Sequence, residues 1–280
     1  MLDPAGPVAR GELHLIETAS IAMGAVILFV FVIFAITLVR FRDRPNNRAP
    51  YIPRWEGSPT LEAIWFLIPV AILAVIAVPT VRQTYALARL PAAADPVVVD
   101  VTSLDWKWLF EYPGQGVATV GYADVPSGVP VLYELTADSP MNTFWVPQLG
   151  GMEYAMPGRV LPIWLEAASP GVYWGRSANF SGSGFVDMRF AIQAVAPAAF
   201  SGWVAQTKRT APAMTMADYR QLLLHQTAPR ATYSAYPADT FPSSTHGFTL
   251  QGGMYIMAGG SGGSPPMPSG GSMQMGGAQG

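Results

Sequence analysis

Side chains that could bind a metal ion or act as nucleophiles are few and scattered. The 280-residue chain contains no Cys, which excludes disulfides, thiolate metal ligands and cysteine nucleophiles. Its three histidines, His14, His225 and His246, lack the close spacing that is typical of metal sites. The sequence contains no Ser-His-Asp signature, phosphate-binding loop or dinucleotide fingerprint. Local motifs therefore predict neither a metal centre nor a covalent catalytic site.

Two other features could take part in proton transfer or metal binding, and each also has an ordinary structural explanation. Glu62 follows Pro59 at the predicted start of an apolar helix, where an acid in the first turn is common. Met residues recur in the Gly- and Ser-rich segment 243–280, and thioethers can bind copper(I). We favour a disordered low-complexity tail, because this segment cannot bury enough apolar surface to offset the entropy of ordering it.

Two apolar tracts must position everything else. Residues 18–39 carry no charge and are long enough to cross a hydrocarbon core of about 30 Å. A cleaved signal peptide is the alternative, but basic residues would then precede the tract rather than follow it. A second span is predicted at residues 62–82. It contains Pro69, which membrane helices tolerate.

The distribution of arginine predicts the orientation of this helical hairpin. The connecting loop, residues 40–61, contains five arginines, whereas the preceding segment 1–17 contains only Arg10. By the positive-inside rule the loop is cytoplasmic, so segment 1–17 and all residues after the second span are extracytoplasmic. The formal net charge of −2 leaves no basic surplus for nucleic acid. A membrane-anchored external domain is therefore expected.

The external part has the pattern of a β-sandwich. Residues 97–196 contain short β-rich runs separated by Pro and Gly turns, and such spacing is typical of sandwiches. The runs begin with residues 96–112, which we treat as one candidate strand. Residues 197–230 change to a helical pattern with two short amphipathic segments, AAFSGWVAQTK and MADYRQLLLHQ. The sequence thus predicts a sandwich followed by a helical arm.

Two segments of the external domain resemble subunit II of the heme–copper oxidases. Residues 142–147 (NTFWVP) match a family segment of the type HSFWVP, whose His binds copper. Residues 177–188 (SANFSGSGFVDM) match the family loop CSE[IL]CGxxHxxM, which supplies the remaining ligands of a dinuclear copper centre. Thiolate, imidazole and thioether ligands suit that metal. The two frames occur in the family order, and the resemblance covers about residues 3–225.

The residues at the ligand positions differ from those of the copper-binding members. The six corresponding positions are Asn142, Ser177, Asn179, Ser181, Phe185 and Met188. Met188 alone keeps a ligand type; Asn179 stands where the family has a Glu that helps hold a nearby divalent ion. The resemblance implies a cupredoxin-like Greek-key sandwich without copper, as in the quinol oxidases.

The resemblance also implies roles for two residues outside those frames. Trp106 lies where cytochrome c oxidases have the Trp through which electrons enter. Without a copper acceptor we expect it to be a packing residue. Glu62 matches a Glu at the cytoplasmic mouth of a proton pathway into subunit I. Proton entry and helix-start chemistry are both compatible with Glu62.

The resemblance as a whole implies a non-redox subunit II of a proton-pumping quinol:oxygen oxidoreductase in a bacterial plasma membrane. Heme and copper would then be in subunit I, which would also bind quinol, and subunits III and IV and membrane lipid would be further partners. Cytochrome c as the electron donor is one alternative. A free membrane-anchored binding module, such as a copper carrier that uses the Met-rich tail, is another.

Overall fold

Two long helices begin the chain in the computed structural model. The structure describes residues 2–45, 57–87, 89–91, 95–138 and 140–241, together with the backbone of 248–251 and 254–257. Helix α1 is Pro7–Arg40 and helix α2 is Pro59–Leu87. Both are long and apolar enough to cross a membrane.

The two helices form an antiparallel hairpin. Gly11 near the start of α1 lies against Gln83 near the end of α2, and the rings of Phe29 and Trp65 are 6.4 Å apart. No residue in the most apolar window of each helix is buried in the isolated chain, as expected for surfaces that face lipid or another membrane protein.

The helices extend beyond the predicted spans. Helix α1 begins at Pro7, so most of the predicted segment 1–17 is helical, and α2 continues past residue 82 to Leu87. The physical reason is burial, since Val8 and Ala9 pack against the external domain. Part of the predicted cytoplasmic loop, residues 46–56, lies outside the described residues.

The external domain is a β-sandwich, as predicted. Its strands are β1 (Val97–Leu104), β2 (Lys107–Tyr112), β3 (Val117–Val120), β4 (Tyr122–Pro126), β5 (Val131–Ala137), β6 (Asn142–Trp145), β7 (Met152–Ala155), β8 (Leu161–Leu165), β9 (Gly171–Arg176), β10 (Arg189–Val195) and β11 (Ala231–Tyr233). One sheet has the order β11-β3-β2-β1-β5-β8, and the other has the order β4-β10-β9-β6-β7. The pairs β1–β5 and β4–β10 are parallel, and the others are antiparallel.

Aromatic rings fill the space between the two sheets. Phe144 and Phe190 from one sheet stack at 4.8 Å between ring centroids. From the other sheet, Trp108 lies edge-on to both rings, and Tyr133 packs against Phe144. All four side chains are almost completely buried. Such offset and edge-to-face contacts stabilise a core beyond the burial of apolar area.

The candidate strand 96–112 is divided in two by a tight turn. Leu104 pairs with Lys107 across it, and Trp106 has a φ of 59°. A bulky residue rarely adopts this conformation, so neighbouring contacts must hold the turn in place.

The helical arm agrees with the prediction. Helix α3 is Pro197–Thr210, and helix α4 is Met216–Leu222. Thr215 caps α4 in a reciprocal arrangement with Asp218, which satisfies backbone donors at the helix start. Beyond the arm, β11 adds an unpredicted edge strand beside β3.

In the predicted disordered tail, 243–280, the structure describes only eight residues. Strands β12 (Phe248–Gln251) and β13 (Met254–Met257) form an antiparallel hairpin there. The β-favouring residues of the runs FTLQ and MYIM account for these two strands, and disorder of the tail as a whole stays a prediction. The rest of the predicted tail lies outside the described residues.

The external domain is joined firmly to the hairpin. The amide of Ala5 donates to the carbonyl of Gln148 at 2.8 Å, and the amide of Ala168 donates to the carbonyl of Ala5 at 2.9 Å. The indole of Trp164 donates to the carbonyl of Leu87 at 2.6 Å. These contacts connect both helices to the sandwich.

The same contacts show which end of the sandwich faces the membrane. Gly6 lies against the backbone of Glu166, and Glu12, more than a turn further along α1, shares a cleft with Ile163. Helix α1 therefore runs along β8 in the opposite direction, from the end of β8 to its start. The start of β8 pairs with the end of β5. The turn at Trp106 follows the end of β1, which pairs in parallel with β5. This end of the domain is directed towards the membrane.

Candidate functional site

Asn142 and Ser177, at two positions where copper-binding family members have ligands, are hydrogen-bonded to each other. Asn142 is fully buried. Its amide nitrogen donates to Ser103 Oγ at 2.8 Å, and its amide oxygen accepts from Ser177 Oγ at 3.0 Å. Ser177 is also buried. This network uses the polar atoms that would otherwise be available to a ligand, as buried polar groups require.

The other four positions lie along the loop between β9 and β10. Asn179 Nδ2 donates to the carbonyl of Met141 at 3.4 Å. Ser181 has a buried hydroxyl without a hydrogen-bond partner among the described residues. Phe185 begins a 3-10 turn and packs against Phe180.

Met188, the sixth position, belongs to the apolar core of the sandwich. It is 1% exposed and packs in the central cluster. Among the described residues, no group of three or more His, Cys, Asp or Glu side chains lies close enough to hold a metal ion. Met188 therefore serves packing, while Asn142 and Ser177 serve internal hydrogen bonding.

Trp106 is fixed against the same loop. Its indole nitrogen donates to the carbonyl of Ser181 at 3.1 Å. A Cβ on Gly184 would lie 2.3 Å from the ring, so only glycine fits there. This contact supports the prediction that Trp106 is a packing residue.

The helical arm holds the turn beside Trp106. Lys107 Nζ donates to the carbonyls of Asp105 and Leu224 at 2.8 and 2.9 Å, and His225 Nδ1 contacts the carboxylate of Asp105. Burial lowers the pKa of Lys107, while the charge of Asp105 acts in the opposite direction. These contacts could not be predicted from local sequence, because Leu224 and His225 are more than a hundred residues from Lys107 and Asp105. Of the other histidines, His14 is exposed on α1, and His246 lies outside the described residues.

Glu62 lies in the first turn of α2 and is exposed in the isolated chain. Its backbone amide donates to the carbonyl of Ser58 at 2.9 Å. The start of α2 is the end of the hairpin away from the sandwich. A carboxylate here is favoured by the helix dipole and is placed at the predicted cytoplasmic boundary.

Three acids meet on the outer face of the larger sheet, a feature that the sequence did not reveal. Asp100 on β1 is flanked by Glu111 on β2 and Glu134 on β5. Thr240 from the chain after β11 donates to Glu111. Burial raises the pKa of Asp100 to about 8, with further contributions from Glu134 and Glu111, and burial raises the pKa of Glu111 to about 7. The phenol groups of Tyr219 and Tyr236 face the same acids.

This acid cluster predicts that the external domain loses stability as the pH rises. Unfolded carboxyl groups titrate near pH 4, so between about pH 4 and pH 8 the folded protein binds more protons, and its free energy of unfolding falls as pH rises through the folded pKa values. Glu111→Gln keeps an oxygen for Thr240 and removes the charge. It should raise the free energy of unfolding by on the order of 2 kcal/mol at about pH 8.5 and change it little at about pH 5.

Thermal unfolding of the detergent-solubilised chain, followed by tryptophan fluorescence at both pH values, measures this effect. Asp187→Asn, which removes an exposed acid of the 3-10 turn between β9 and β10, is the control and should have a similar, small effect at both pH values. An equal stabilisation by Glu111→Gln at both pH values would contradict the assignment of a buried titrating carboxyl group.

The fold agrees with comparisons to known proteins. Residues 1–82 match the family model described as "Cytochrome C oxidase subunit II, transmembrane domain". Residues 117–195 match "Cytochrome C oxidase subunit II, periplasmic domain". A membrane-anchored oxidase subunit II is therefore the class that the hairpin and sandwich define, and the chain belongs to this family.

Several similar curated proteins are quinol oxidase subunits. Quinol oxidase subunit 2 of Bacillus cereus is 41% identical over 239 residues, which cover 84% of this chain and 82% of that protein. The Bacillus subtilis protein of the same name is 39% identical, with 84% and 74% covered. Cytochrome bo(3) ubiquinol oxidase subunit 2 of Pseudomonas aeruginosa is 38% identical, with 80% and 68% covered. The chain is thus a membrane protein with an extracytoplasmic cupredoxin-like domain.

Proposed function

We propose that the chain is the non-redox subunit II of a proton-translocating quinol:oxygen oxidoreductase in a bacterial plasma membrane. The observation that carries the proposal is at the positions of the family's copper ligands. Asn142 and Ser177 occupy two of these positions and are hydrogen-bonded to each other. A subunit of this kind passes no electrons itself. The names of the relatives, quinol and ubiquinol oxidase subunits, support the same function over that of a free copper carrier.

In this proposal the redox chemistry takes place in subunit I. Heme and copper there reduce oxygen, and quinol binds there as well, while subunits III and IV complete the assembly. The present chain contributes the membrane hairpin, which offers lipid- and partner-facing apolar surfaces, and the external domain above it. A cofactor supplies the hard chemistry of such an enzyme, and the surrounding protein supplies position and electrostatics.

Oxygen consumption by the purified complex tests the proposal. Quinol should support rapid oxygen uptake, and reduced cytochrome c should not. Purification through a tag on this chain should also recover a heme-bearing membrane partner. An isolated chain without heme, or oxidation of cytochrome c at a rate similar to that of quinol, would refute the proposal.

Glu62 is proposed as the group that collects protons at the cytoplasmic surface. Glu62→Gln should slow quinol oxidation on the order of two- to tenfold, because water and neighbouring acids can substitute for one entry carboxylate. The deficit should grow in alkaline solution, where protons are scarce. Turnover and proton uptake by the assembled complex in vesicles are the measurements.

Glu17→Gln is the matched control for this experiment. Glu17 is an exposed acid of helix α1 near the opposite end of the hairpin, so its loss should leave proton uptake unchanged. Normal turnover of the Glu62→Gln complex at neutral and alkaline pH, with full assembly, would rule out the proton-entry role.

A further inference from the structure

Two arginines face each other at the edge of the degenerate copper loop. Arg176 ends β9, Arg189 begins β10, and the two residues are direct partners in the antiparallel register. Both are exposed, and in the described part of the chain neither forms an ion pair. Like charges directly opposite each other destabilise a sheet. Such local conflicts are expected at functional sites, where another interaction offsets them.

The arginine pair lines a cleft beside the ring of Trp145. The cleft has a volume of about 350 Å³ and includes Trp145, Phe185 and Val186. The guanidinium carbon of Arg176 lies 4.8 Å from the centre of the Trp145 ring. The indole nitrogen of Trp145 is buried and has no hydrogen-bond partner among the described residues. The two exposed guanidinium groups are donors without acceptors, which suits a carboxylate.

Apolar side chains surround these donors on the surface. Phe180 is 79% exposed and Val186 is 66% exposed, and both belong to the loop between β9 and β10. The end of the domain that carries this loop is directed towards the membrane, as the contacts of helix α1 show. Aromatic residues and arginine together are typical of the centre of protein–protein interfaces.

We propose that Arg176 and Arg189 form a carboxylate-binding docking site for an acidic segment of the heme-bearing partner subunit. The inference rests on the proposed function, since it needs such a partner. Each guanidinium can bind a carboxylate through two parallel hydrogen bonds, and binding removes the repulsion between the two cations. Phe180 and Val186 then pack against apolar residues beside the acid.

Single and double Arg→Gln changes at positions 176 and 189, in the assembled complex, test this site. Each single change should weaken association with the heme-bearing partner at least about tenfold, as measured by its retention on the tagged chain at rising salt concentration. Arg230→Gln is the matched control. Its guanidinium lies over Trp174 at 5.5 Å from the ring centre, and it faces no second arginine across the register, so retention should be unchanged.

Stability of the free chain separates docking from a structural role. Because the arginine pair is repulsive in the isolated chain, Arg189→Gln should leave the thermal midpoint of the free chain unchanged or raise it. A lower midpoint with an equal loss of partner would overturn the inference in favour of a structural role. Retention equal to wild type would also overturn it.

The arginine pair could also bind a lipid phosphate, which the same complexes distinguish from a carboxylate. Variants that retain the partner but lose bound anionic phospholipid, as quantified by mass spectrometry of the complex, would assign the site to the lipid and overturn the inference. If the wild-type chain recovers no heme-bearing partner, both the proposed function and the docking site fail. If wild type recovers the partner and the variants do so equally well, only the docking site fails.

Discussion

Phe144→Ala should destabilise the external domain by about 3–5 kcal/mol, which is the usual cost of removing a fully buried Phe. The ring has no exposed surface and contacts rings from both sheets, with centroid distances of 4.8 Å to Phe190 and 5.1 Å to Tyr133. Its removal leaves a cavity between the sheets that the surrounding strands cannot close.

Chemical and thermal unfolding of the solubilised chain, followed by near-ultraviolet circular dichroism, measures this loss. Phe180→Ala is the control, because Phe180 is 79% exposed and such surface changes usually alter stability by less than about 0.5 kcal/mol. Equal unfolding midpoints for the two variants would show that the aromatic stack is not the centre of the core.

The second large effect concerns copper. The wild-type external domain should take up no dinuclear copper, because Asn142, Ser177, Ser181 and Phe185 offer neither thiolate nor imidazole. Metal analysis and near-infrared absorption after incubation with copper and dialysis are the measurements. Two coppers per chain with a thiolate-type near-infrared band would contradict this prediction.

A variant with the family ligands is the positive control for that experiment. Met188 is kept, and the four changes are Asn142→His, Ser177→Cys, Ser181→Cys and Phe185→His. Because the frame of the loop is intact, this variant should gain the near-infrared band. The chain truncated after residue 257 distinguishes this site from thioether binding by the Met-rich segment, which would give copper without the band.

Local patterns in the sequence were sufficient for the membrane hairpin and the sandwich. Long uncharged tracts and Pro- and Gly-bounded β runs are local signals, and both predictions are confirmed. The start of α1 was not predictable in this way, because residues 7–17 are polar enough to read as a connecting segment. They are helical because Val8 and Ala9 are buried against a domain that follows much later in the chain.

Residues that meet across strands were beyond the reach of local patterns. The match to the family motifs located Asn142 and Ser177, and the structure shows that they bond to each other. The like-charged pair Arg176 and Arg189, by contrast, depends on the register of β9 with β10. Similarly, Asp100 meets Glu134 only because β1 and β5 pair in parallel. The register between two strands depends on both strands, so the pattern of residues within one strand does not determine it.

The joint between the first residues and the sandwich has a consequence for the order of folding. Asp3 accepts a hydrogen bond from Gln148, which is 145 residues away, and Ala5 bonds to the loop that follows β6. Helix α1 comes first in the chain, and the loop that holds its start is made more than a hundred residues later. Contacts with such long sequence separation form slowly. The start of helix α1 can therefore dock only after the sandwich strands have been made and paired, so this joint is expected to form late in folding.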